Sequence, residues 1–254
     1  MSTLHRYRIS PHDPAGHLFE VQLTVERPDP EGQVFAMPAW IPGSYMIRDY
    51  ARNVVSIRAE SDGREVPLSK LDKSRWRAAP VQKPLTLIAE IFAYDLSVRG
   101  AHLDNTHAYF NGSCMFFTVC GQEDLPCELE ILPPEGSAAS EWRVATSMRR
   151  KDAAPYGFGT YAADDYAELI DHPVEAGHLT IGEFEVRGIP HAIAIRGKTR
   201  VDMGRLCRDL ETLCEGHMAL LGVPEGFDRY VFLLHAPGSG YGGLEHRSSS
   251  SLVC

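Results

Sequence analysis

The residues best suited to chemistry lie near position 245, where residues 238–247 read Gly-Ser-Gly-Tyr-Gly-Gly-Leu-Glu-His-Arg. Glycines let a backbone lie close against another chain, and the glutamate that follows them can present a carboxylate to that chain. We therefore predict a peptide-binding groove in which Glu245 pairs with a positive group. Gly242 and Gly243 would permit the close approach, and Tyr241 would border the groove.

Such a groove needs strands to hold it. Residues 230–235 have the apolar composition of a buried strand, and Gly242–Glu245 is predicted to form an adjoining edge strand. An edge strand can accept a peptide by strand addition, in which main-chain groups provide affinity and a side chain provides selectivity. The alternative interpretation is an ordinary surface glutamate, with Gly242-Gly243 as a turn.

The residues that follow Glu245 are weaker candidates. His246 and Arg247 can assist substrate carbonyls or simply face solvent. The serine run at 248–251 lacks the Gly-x-Ser-x-Gly context of a nucleophile, so a strand end or a loop is predicted there.

Residues 241–249, Tyr-Gly-Gly-Leu-Glu-His-Arg-Ser-Ser, resemble the strand before the zinc helix of the glycyl aminopeptidases. These metallopeptidases usually carry a PDZ domain and are related to aminopeptidase N. The resemblance implies that Glu245 binds the free amino terminus of a peptide, and that a His-Glu-x-x-His helix further along the chain supplies two zinc ligands and the general base. No histidine in the sequence is followed directly by glutamate. We therefore expect the 254 residues alone to hold no stoichiometric zinc and to catalyse no hydrolysis.

Further motifs extend this resemblance over nearly the whole chain. They are Trp-Ile-Pro-Gly-Ser-Tyr at 40–45, Arg-Asp-Tyr-Ala-Arg at 48–52, Lys-Leu-Asp-Lys at 70–73, Ala-His-Leu-Asp at 101–104, Ala-Tyr-Phe-Asn-Gly at 108–112 and Tyr-Ala-Glu-Leu-Ile-Asp-His-Pro at 166–173. The resemblance implies zinc in the intact protein. It also implies peptide amino termini and the rest of the catalytic domain as partners, and it leaves open whether a PDZ domain follows.

Hydrophobic periodicity predicts a mainly β chain, α+β overall. Apolar and polar residues alternate along 17–26, and the runs at 54–59, 85–94, 109–120, 127–132 and 140–146 predict further strands. Residues 1–170 are therefore predicted to form an antiparallel β-sandwich or saddle. Residues 171–254 would be the incomplete front of a thermolysin-like catalytic domain, by the resemblance. That part has a hairpin at 179–196, one long helix at about 201–221, a strand and the edge strand.

A second group of candidate ligands occupies residues 102–107. His102, Asp104 and His107 are good metal ligands, but their spacing matches no standard zinc pattern. We predict a loop with hydrogen-bonded histidines and no metal, and the resemblance implies that this loop approaches the active-site cleft. Asn111 is a comparably weak candidate, and Trp40 is predicted to be a buried corner of the sandwich.

Charge and composition restrict the partners. A net charge of -9 disfavours nucleic acid, because phosphate binding needs a basic surface. No apolar run is long enough to span a bilayer, and the six cysteines form no Cys-x-x-Cys pair, so we expect a cytoplasmic protein without a membrane partner. Two alternatives to a peptidase stay open: a non-catalytic peptide- or protein-binding β-domain, and a structural sandwich within an oligomer.

Overall fold

The computed structural model describes residues 3–136, 141–226 and 228–254. Within these ranges the chain folds into four β-sheets, three α-helices and one 3-10 turn. The predicted mainly β, α+β fold is therefore confirmed.

The elements follow one another with short connections. In chain order the strands are β1 His5–Asp13, β2 Leu18–Val25, β3 Val34–Ala36, β4 Val54–Ser61, β5 Arg64–Val66, β6 Leu68–Lys70, β7 Arg75–Ala78, β8 Leu85–Phe92, β9 Ala101–Leu103, β10 His107–Phe110, β11 Thr118–Val119, β12 Cys127–Ile131, β13 Arg143–Ala145, β14 Arg149–Arg150, β15 Gly159–Ala163, β16 Val174–Gly177, β17 Leu179–Val186, β18 Ile189–Gly197, β19 Tyr230–Ala236, β20 Gly242–Glu245 and β21 Ser249–Val253. The helices are α1 Gly112–Met115, α2 Tyr166–Ile170 and α3 Met203–Leu221, and the 3-10 turn is Tyr50–Asn53.

The largest sheet has eight strands in the order β14-β15-β12-β1-β2-β8-β4-β5. Its strands have the alternating pattern that the sequence predicts: in β2, Phe19, Val21, Leu23 and Val25 are buried while the residues between them are partly exposed. These buried side chains form the main part of a large hydrophobic core. The predicted strands at 54–59, 85–94 and 127–132 are confirmed as β4, β8 and β12.

Two smaller sheets have the orders β11-β3-β7-β6 and β13-β16-β10-β9. In the second of these, β16 pairs antiparallel with both β10 and β13. Residues 174–177 therefore belong to a sheet whose other strands precede residue 150. The division of the chain at residue 170 stays a prediction.

Two details of this region differ from the prediction. Residues 109–120 are not one strand, because the chain turns into α1 at Gly112, where a β-carbon would lie only 2.6 Å from the α-carbon of Ile170. Trp40 is not a buried corner: its side chain is 46% exposed, and its indole nitrogen donates to the Ser44 carbonyl at 2.6 Å. The predicted strand at 140–146 is confirmed over Arg143–Ala145, and Ser140 lies outside the described residues.

The last sheet is mixed, with the order β17-β18-β19-β21-β20. The predicted hairpin at 179–196 is present as β17 and β18 and turns through Arg187 and Gly188, whose φ angles are 50° and 81°. The prediction that β20 adjoins β19 is wrong, since β21 lies between them and runs parallel to β19. The serines at 249–251 therefore form a strand in the interior of the sheet, where Ser249 and Ser251 are buried.

Helix α3 connects β18 to β19 and packs on β17. The carboxylate of Asp202 caps its start by accepting a hydrogen bond from the Arg205 amide at 3.0 Å, and Gly222, with φ 91°, follows its end. Leu213, Leu220 and Leu221 on this helix are exposed. None of the helices in the described part of the chain is long and apolar enough to cross a membrane.

A small second core joins the N-terminal strands to the mixed sheet. It consists of Tyr109, Ala145, Leu179, Ala194, Val231 and Leu233. Tyr109 and Ala145 come from β10 and β13, whereas the other four come from β17, β18 and β19. The sheet that carries β9, β10 and β16 is therefore packed directly against the sheet that carries the predicted site.

Candidate functional site

The strand β20 is the edge of the mixed sheet, with β21 on one side and an open edge on the other. The His246 amide donates to the Ser249 carbonyl at 2.8 Å, and the register pairs Leu244 with Ser251. Because hydrogen-bonded pairs alternate along an antiparallel ladder, the main-chain groups of Leu244 point toward β21. Those of Gly243 and Glu245 point toward the open edge.

The two faces of β20 have different surroundings. Leu244 is buried and belongs to the large N-terminal core, where it lies against Gly43. Glu245 is exposed, and Tyr241 is 98% exposed. Leu244 thus anchors the strand to the N-terminal sheets, and Glu245, on the opposite face, is available to a ligand.

The loop before β9 reaches the open edge of β20. An Nη2 hydrogen of Arg99 is donated to the Gly243 carbonyl at 3.1 Å. A β-carbon placed on Gly242 would be in ordinary contact with Val98, at 3.7 Å from its Cγ2 atom. The structure therefore brings Arg99 into contact with Gly243 and Val98 into contact with Gly242, and the sequence pattern singled out neither Arg99 nor Val98.

Asn111 supports this loop and does not face a ligand. Its buried Nδ2 donates to the Val98 carbonyl at 2.9 Å and to the Gly100 carbonyl at 3.1 Å. The earlier candidate role of Asn111 is therefore replaced by a positioning role within the N-terminal part of the chain.

Asp171 fixes the turn that follows Glu245. One carboxylate oxygen lies 3.3 Å from Nδ1 of His246, and the other accepts the Arg247 amide at 3.0 Å. Burial would raise the pKa of Asp171, but the bonds from His246 and Arg247 outweigh it and lower the pKa. The ring of His246 is buried, so it neither faces solvent nor lies free for a substrate.

His102, Asp104 and His107 come together at the β9–β10 hairpin. His102 Nε2 lies 3.1 Å from one oxygen of Asp104, and His107 Nδ1 lies 3.3 Å from the other. His102 lies in β9 and His107 in β10, and only residues 104–106 form the loop between these strands. Each ring thus has the hydrogen bond that the sequence predicts, to Asp104, whereas His102 Nδ1 and His107 Nε2 have no hydrogen-bond partner in the described ranges.

A positive charge lies beside this group. Arg196 donates to Thr106 Oγ1 at 2.9 Å and contacts the ring of His235. Burial, with Arg196 adding to it, lowers the pKa of His107 to about 3 and that of His235 to about 4. Both rings are therefore neutral at neutral pH.

The fit of a metal ion to these residues is poor. The ligand atoms of His102, Asp104 and His107 lie within 4.8 Å of one another, which is close enough for one cation. However, Arg196 opposes a second positive charge, and histidine ligands normally donate their other nitrogen to an acceptor, which neither ring does among the described residues. At β20 itself, Glu245 alone offers a ligand atom, whereas a catalytic zinc needs three protein ligands.

A narrow cavity separates the histidine group from the mixed sheet. Its volume of about 10 Å³ is enough for a single water molecule. Among its lining residues are His107, Glu175, His235 and Ser251. Glu175 is buried, and burial raises its pKa well above the usual range, because no described partner compensates Oε1.

Three residues of the site were missed by sequence reasoning: Gly43, Arg99 and Asp171. Two of them lie in motifs that carry the family resemblance, Trp-Ile-Pro-Gly at 40–43 and Leu-Ile-Asp-His at 169–172. Arg99 lies in a Ser-Val-Arg-Gly turn whose composition shows nothing unusual. Each of these residues contacts a residue in 243–247 that is more than 70 positions away in the sequence. A local sequence pattern therefore does not reveal these contacts.

Comparison with known proteins gives a family match and a close structural neighbour. The model of the peptidase M61 N-terminal domain matches residues 6–178. A solved structure described as an aminopeptidase N family protein from Idiomarina loihiensis is 41% identical, with a TM-score of 0.94; the match covers 99% of this chain and 42% of that chain. The present chain thus spans less than half the length of that relative. No curated protein matches the sequence.

More distant neighbours share the fold. An M1 zinc metallopeptidase from Deinococcus radiodurans is 12% identical with a TM-score of 0.56, and the match covers 99% of this chain and 60% of that chain. A second structure of that protein, bound to a Tyr-Ser-Ala substrate, gives a TM-score of 0.53 over 98% and 59% of the two chains at 12% identity. The resemblance to aminopeptidases that the sequence motifs indicated is confirmed.

Proposed function

Because this chain belongs to the family with a peptidase M61 N-terminal domain, we propose that it is the N-terminal portion of a zinc-dependent aminopeptidase. Such an enzyme hydrolyses the first peptide bond of a peptide that has a free amino terminus. In this proposal Glu245 binds the substrate's ammonium group. Gly242 and Gly243 let the peptide approach, and Tyr241 borders the groove.

The observation that carries the proposal is the placement of Glu245 on an open edge strand. Its side chain is exposed, and its main-chain groups point outward, where an added strand can pair with them. On the same edge, the Gly243 carbonyl accepts a hydrogen bond from Arg99. A carboxylate beside a peptide amine forms a charge-assisted hydrogen bond that an acetylated amino terminus cannot form. This chemistry selects the end of a peptide over its interior.

Zinc in the intact protein also belongs to the proposal. Since the described residues do not assemble three ligands at β20, the metal would be held by residues outside the 254-residue sequence. The exposed apolar side chains of Leu213, Leu220 and Leu221 on α3 support a further packed segment, the rest of the catalytic domain. A PDZ domain and a cytoplasmic location stay predictions, which the intact mass and cell fractionation would test.

The test compares Glu245→Ala with the unaltered full-length protein. We expect kcat/KM for a peptide with a free amino terminus to fall at least about a hundredfold, because a desolvated charge pair loses one partner, while the zinc content stays the same. Glu185→Ala, an exposed glutamate of β17, is the matched control and should leave the rate unchanged. Equal rates for the Glu245 variant and the unaltered protein would remove Glu245 from the site.

A second candidate function is non-catalytic peptide binding. It is favoured by the exposed carboxylate of Glu245 and the open edge of β20, which are enough to bind a peptide without any metal. Calorimetric titration of the 254-residue chain with a peptide distinguishes peptide binding from a purely structural role. A retained groove prefers a peptide with a free amino terminus over its acetylated form, whereas a structural domain binds neither.

A further inference from the structure

The guanidinium of Arg99 lies at the open edge of β20, in the path of any strand added there. It donates to the Gly243 carbonyl at 3.1 Å, and an added strand would lie about 4.8 Å from β20 on that same side. A peptide that pairs with β20 beside Glu245 therefore meets Arg99 when it reaches Gly243.

Arg99 brings a positive charge that has no anionic partner in residues 3–136, 141–226 and 228–254. Among the described residues, its side chain donates one hydrogen bond, to the Gly243 carbonyl, which uses one of the five N–H donors of a guanidinium. The remaining donors form a planar fork that can bind the two oxygens of a carboxylate, the anionic group that a peptide carries at its C-terminus. The half-buried position of Arg99 limits the solvent that would otherwise screen this charge.

The backbone of Arg99 is held from three directions. The Tyr50 hydroxyl donates to the Arg99 carbonyl at 2.9 Å, and the Cys114 thiol lies 3.7 Å from the same oxygen. Asn111 holds the carbonyls on either side, at Val98 and Gly100. The arginine therefore extends from a loop that is fixed before any ligand arrives, which lowers the entropic cost of binding.

We infer that the site takes dipeptides, with the amino terminus bound by Glu245 and the C-terminal carboxylate bound by Arg99; this rests on the proposed function. Glu245 and Gly243 are two residues apart on β20, about 7 Å along the strand. An extended dipeptide spans about the same length. A longer peptide would have to displace Arg99 from the Gly243 carbonyl, so Arg99 sets the length of the substrate as well as its terminal charge.

The test uses Gly-Phe and its C-terminal amide with the full-length protein. The expected kcat/KM for the acid exceeds that for the amide by roughly tenfold to a hundredfold, since a charge-assisted bidentate pair is lost in the amide. In Arg99→Gln, which keeps a donor for the Gly243 carbonyl, the acid-to-amide ratio falls to about 1. Arg52→Gln, in an exposed arginine of the 3-10 turn, is the matched control and retains the ratio.

Calorimetric titration with the same two compounds gives a readout that does not depend on turnover. Tighter binding of the acid, lost in Arg99→Gln, supports the inference. An acid-to-amide ratio near 1 in the unaltered protein, or a ratio that survives in Arg99→Gln, overturns it even when both compounds are cleaved. If neither compound is cleaved but the acid still binds more tightly through Arg99, the carboxylate site stands and the aminopeptidase proposal fails.

Discussion

Gly43 and Leu244 touch across the boundary between the N-terminal sheets and the mixed sheet. A β-carbon on Gly43 would lie 2.6 Å from Cδ1 of Leu244, and Gly43 has φ +81°, in the left-handed region. Leu244, which precedes Glu245, therefore occupies space that is free because residue 43 has no side chain. The position of the Glu245 carboxylate, which is predicted to bind an amine, thus depends on Gly43, 202 positions earlier in the chain.

Gly43→Ala is expected to destabilise the protein and to displace β20. The substitution combines a left-handed alanine, which costs about 1 kcal/mol, with overpacking against Leu244, which costs about 1–3 kcal/mol. Gly63→Ala is the matched control, since Gly63 has φ +71° and nothing lies within 4 Å of its added β-carbon. Denaturant unfolding should show the larger loss for Gly43→Ala. Equal losses would mean that Leu244 moves aside freely.

Glu168→Gln is expected to destabilise the protein at neutral pH and to have no effect near pH 2. The proximity of His172, whose Nε2 lies 3.6 Å from Glu168 Oε1, is the largest cause that lowers the pKa of Glu168, to about 2. A carboxylate with a lowered folded-state pKa contributes stability above its unfolded pKa, and that contribution disappears as the pH falls through the folded value. Thermal unfolding at several pH values measures the difference. Glu211→Gln, on the exposed face of α3, serves as the control; a difference that persists below pH 2 contradicts the expectation.

Glu175→Gln is expected to stabilise the protein at neutral and alkaline pH. Burial raises the pKa of Glu175, so the folded state favours the protonated acid. A group whose pKa is higher in the folded state contributes stability that is fully present below its pKa in the unfolded state, which is near 4.5. That contribution is lost as the pH rises through the pKa of the folded state. Glutamine keeps the shape and cannot ionise, so it removes this loss. The melting temperature should rise at pH 8 and change little at pH 4; a lower melting temperature at pH 8 would show that the ionised carboxylate is stabilising.

Gly182→Ala is expected to loosen α3 from the mixed sheet. The added β-carbon would lie 2.5 Å from Sδ of Met203 and 2.6 Å from Sγ of Cys207, so these side chains or the helix that carries them must shift, at a cost of about 1–3 kcal/mol. The control is Gly216→Ala, in α3 itself, where nothing lies within 4 Å and alanine should stabilise by about 0.5–1 kcal/mol. The free energy of unfolding should therefore change in opposite directions for the two variants.

The sequence predicts elements well where one periodicity dominates. β2, β8 and α3 have alternating or helical patterns and were located within about two residues. The segment 109–120 was misassigned because its residues are apolar in either conformation, and the close approach of Gly112 to Ile170 decides the turn. Periodicity contains no information about that approach.

For the candidate site as well, the sequence predicts the features that depend on local signals and does not predict those that depend on packing. The Gly-Gly-Leu-Glu motif located β20 and Glu245, since glycine spacing and a carboxylate are local signals. The strand order did not follow, because β21 enters between β19 and β20 through its buried serines, and the choice depends on packing that no motif records. Arg99 was missed for the same reason: its importance depends on a contact with Gly243 that only the fold creates.

The order β19-β21-β20 has a consequence for how the molecule assembles. Strand β21 is the last of the three in the chain, and neither β19 on that side nor β20 has a neighbour in the sheet until β21 has been made. During synthesis, residues 242–245 leave the ribosome ahead of the strand that holds them, and β19 presents an unpaired edge in the meantime. Pairing of distant segments is slow and exposes strands to wrong partners. The edge strand β20 is therefore completed late, and the unpaired edge of β19 can meet wrong partners in this interval.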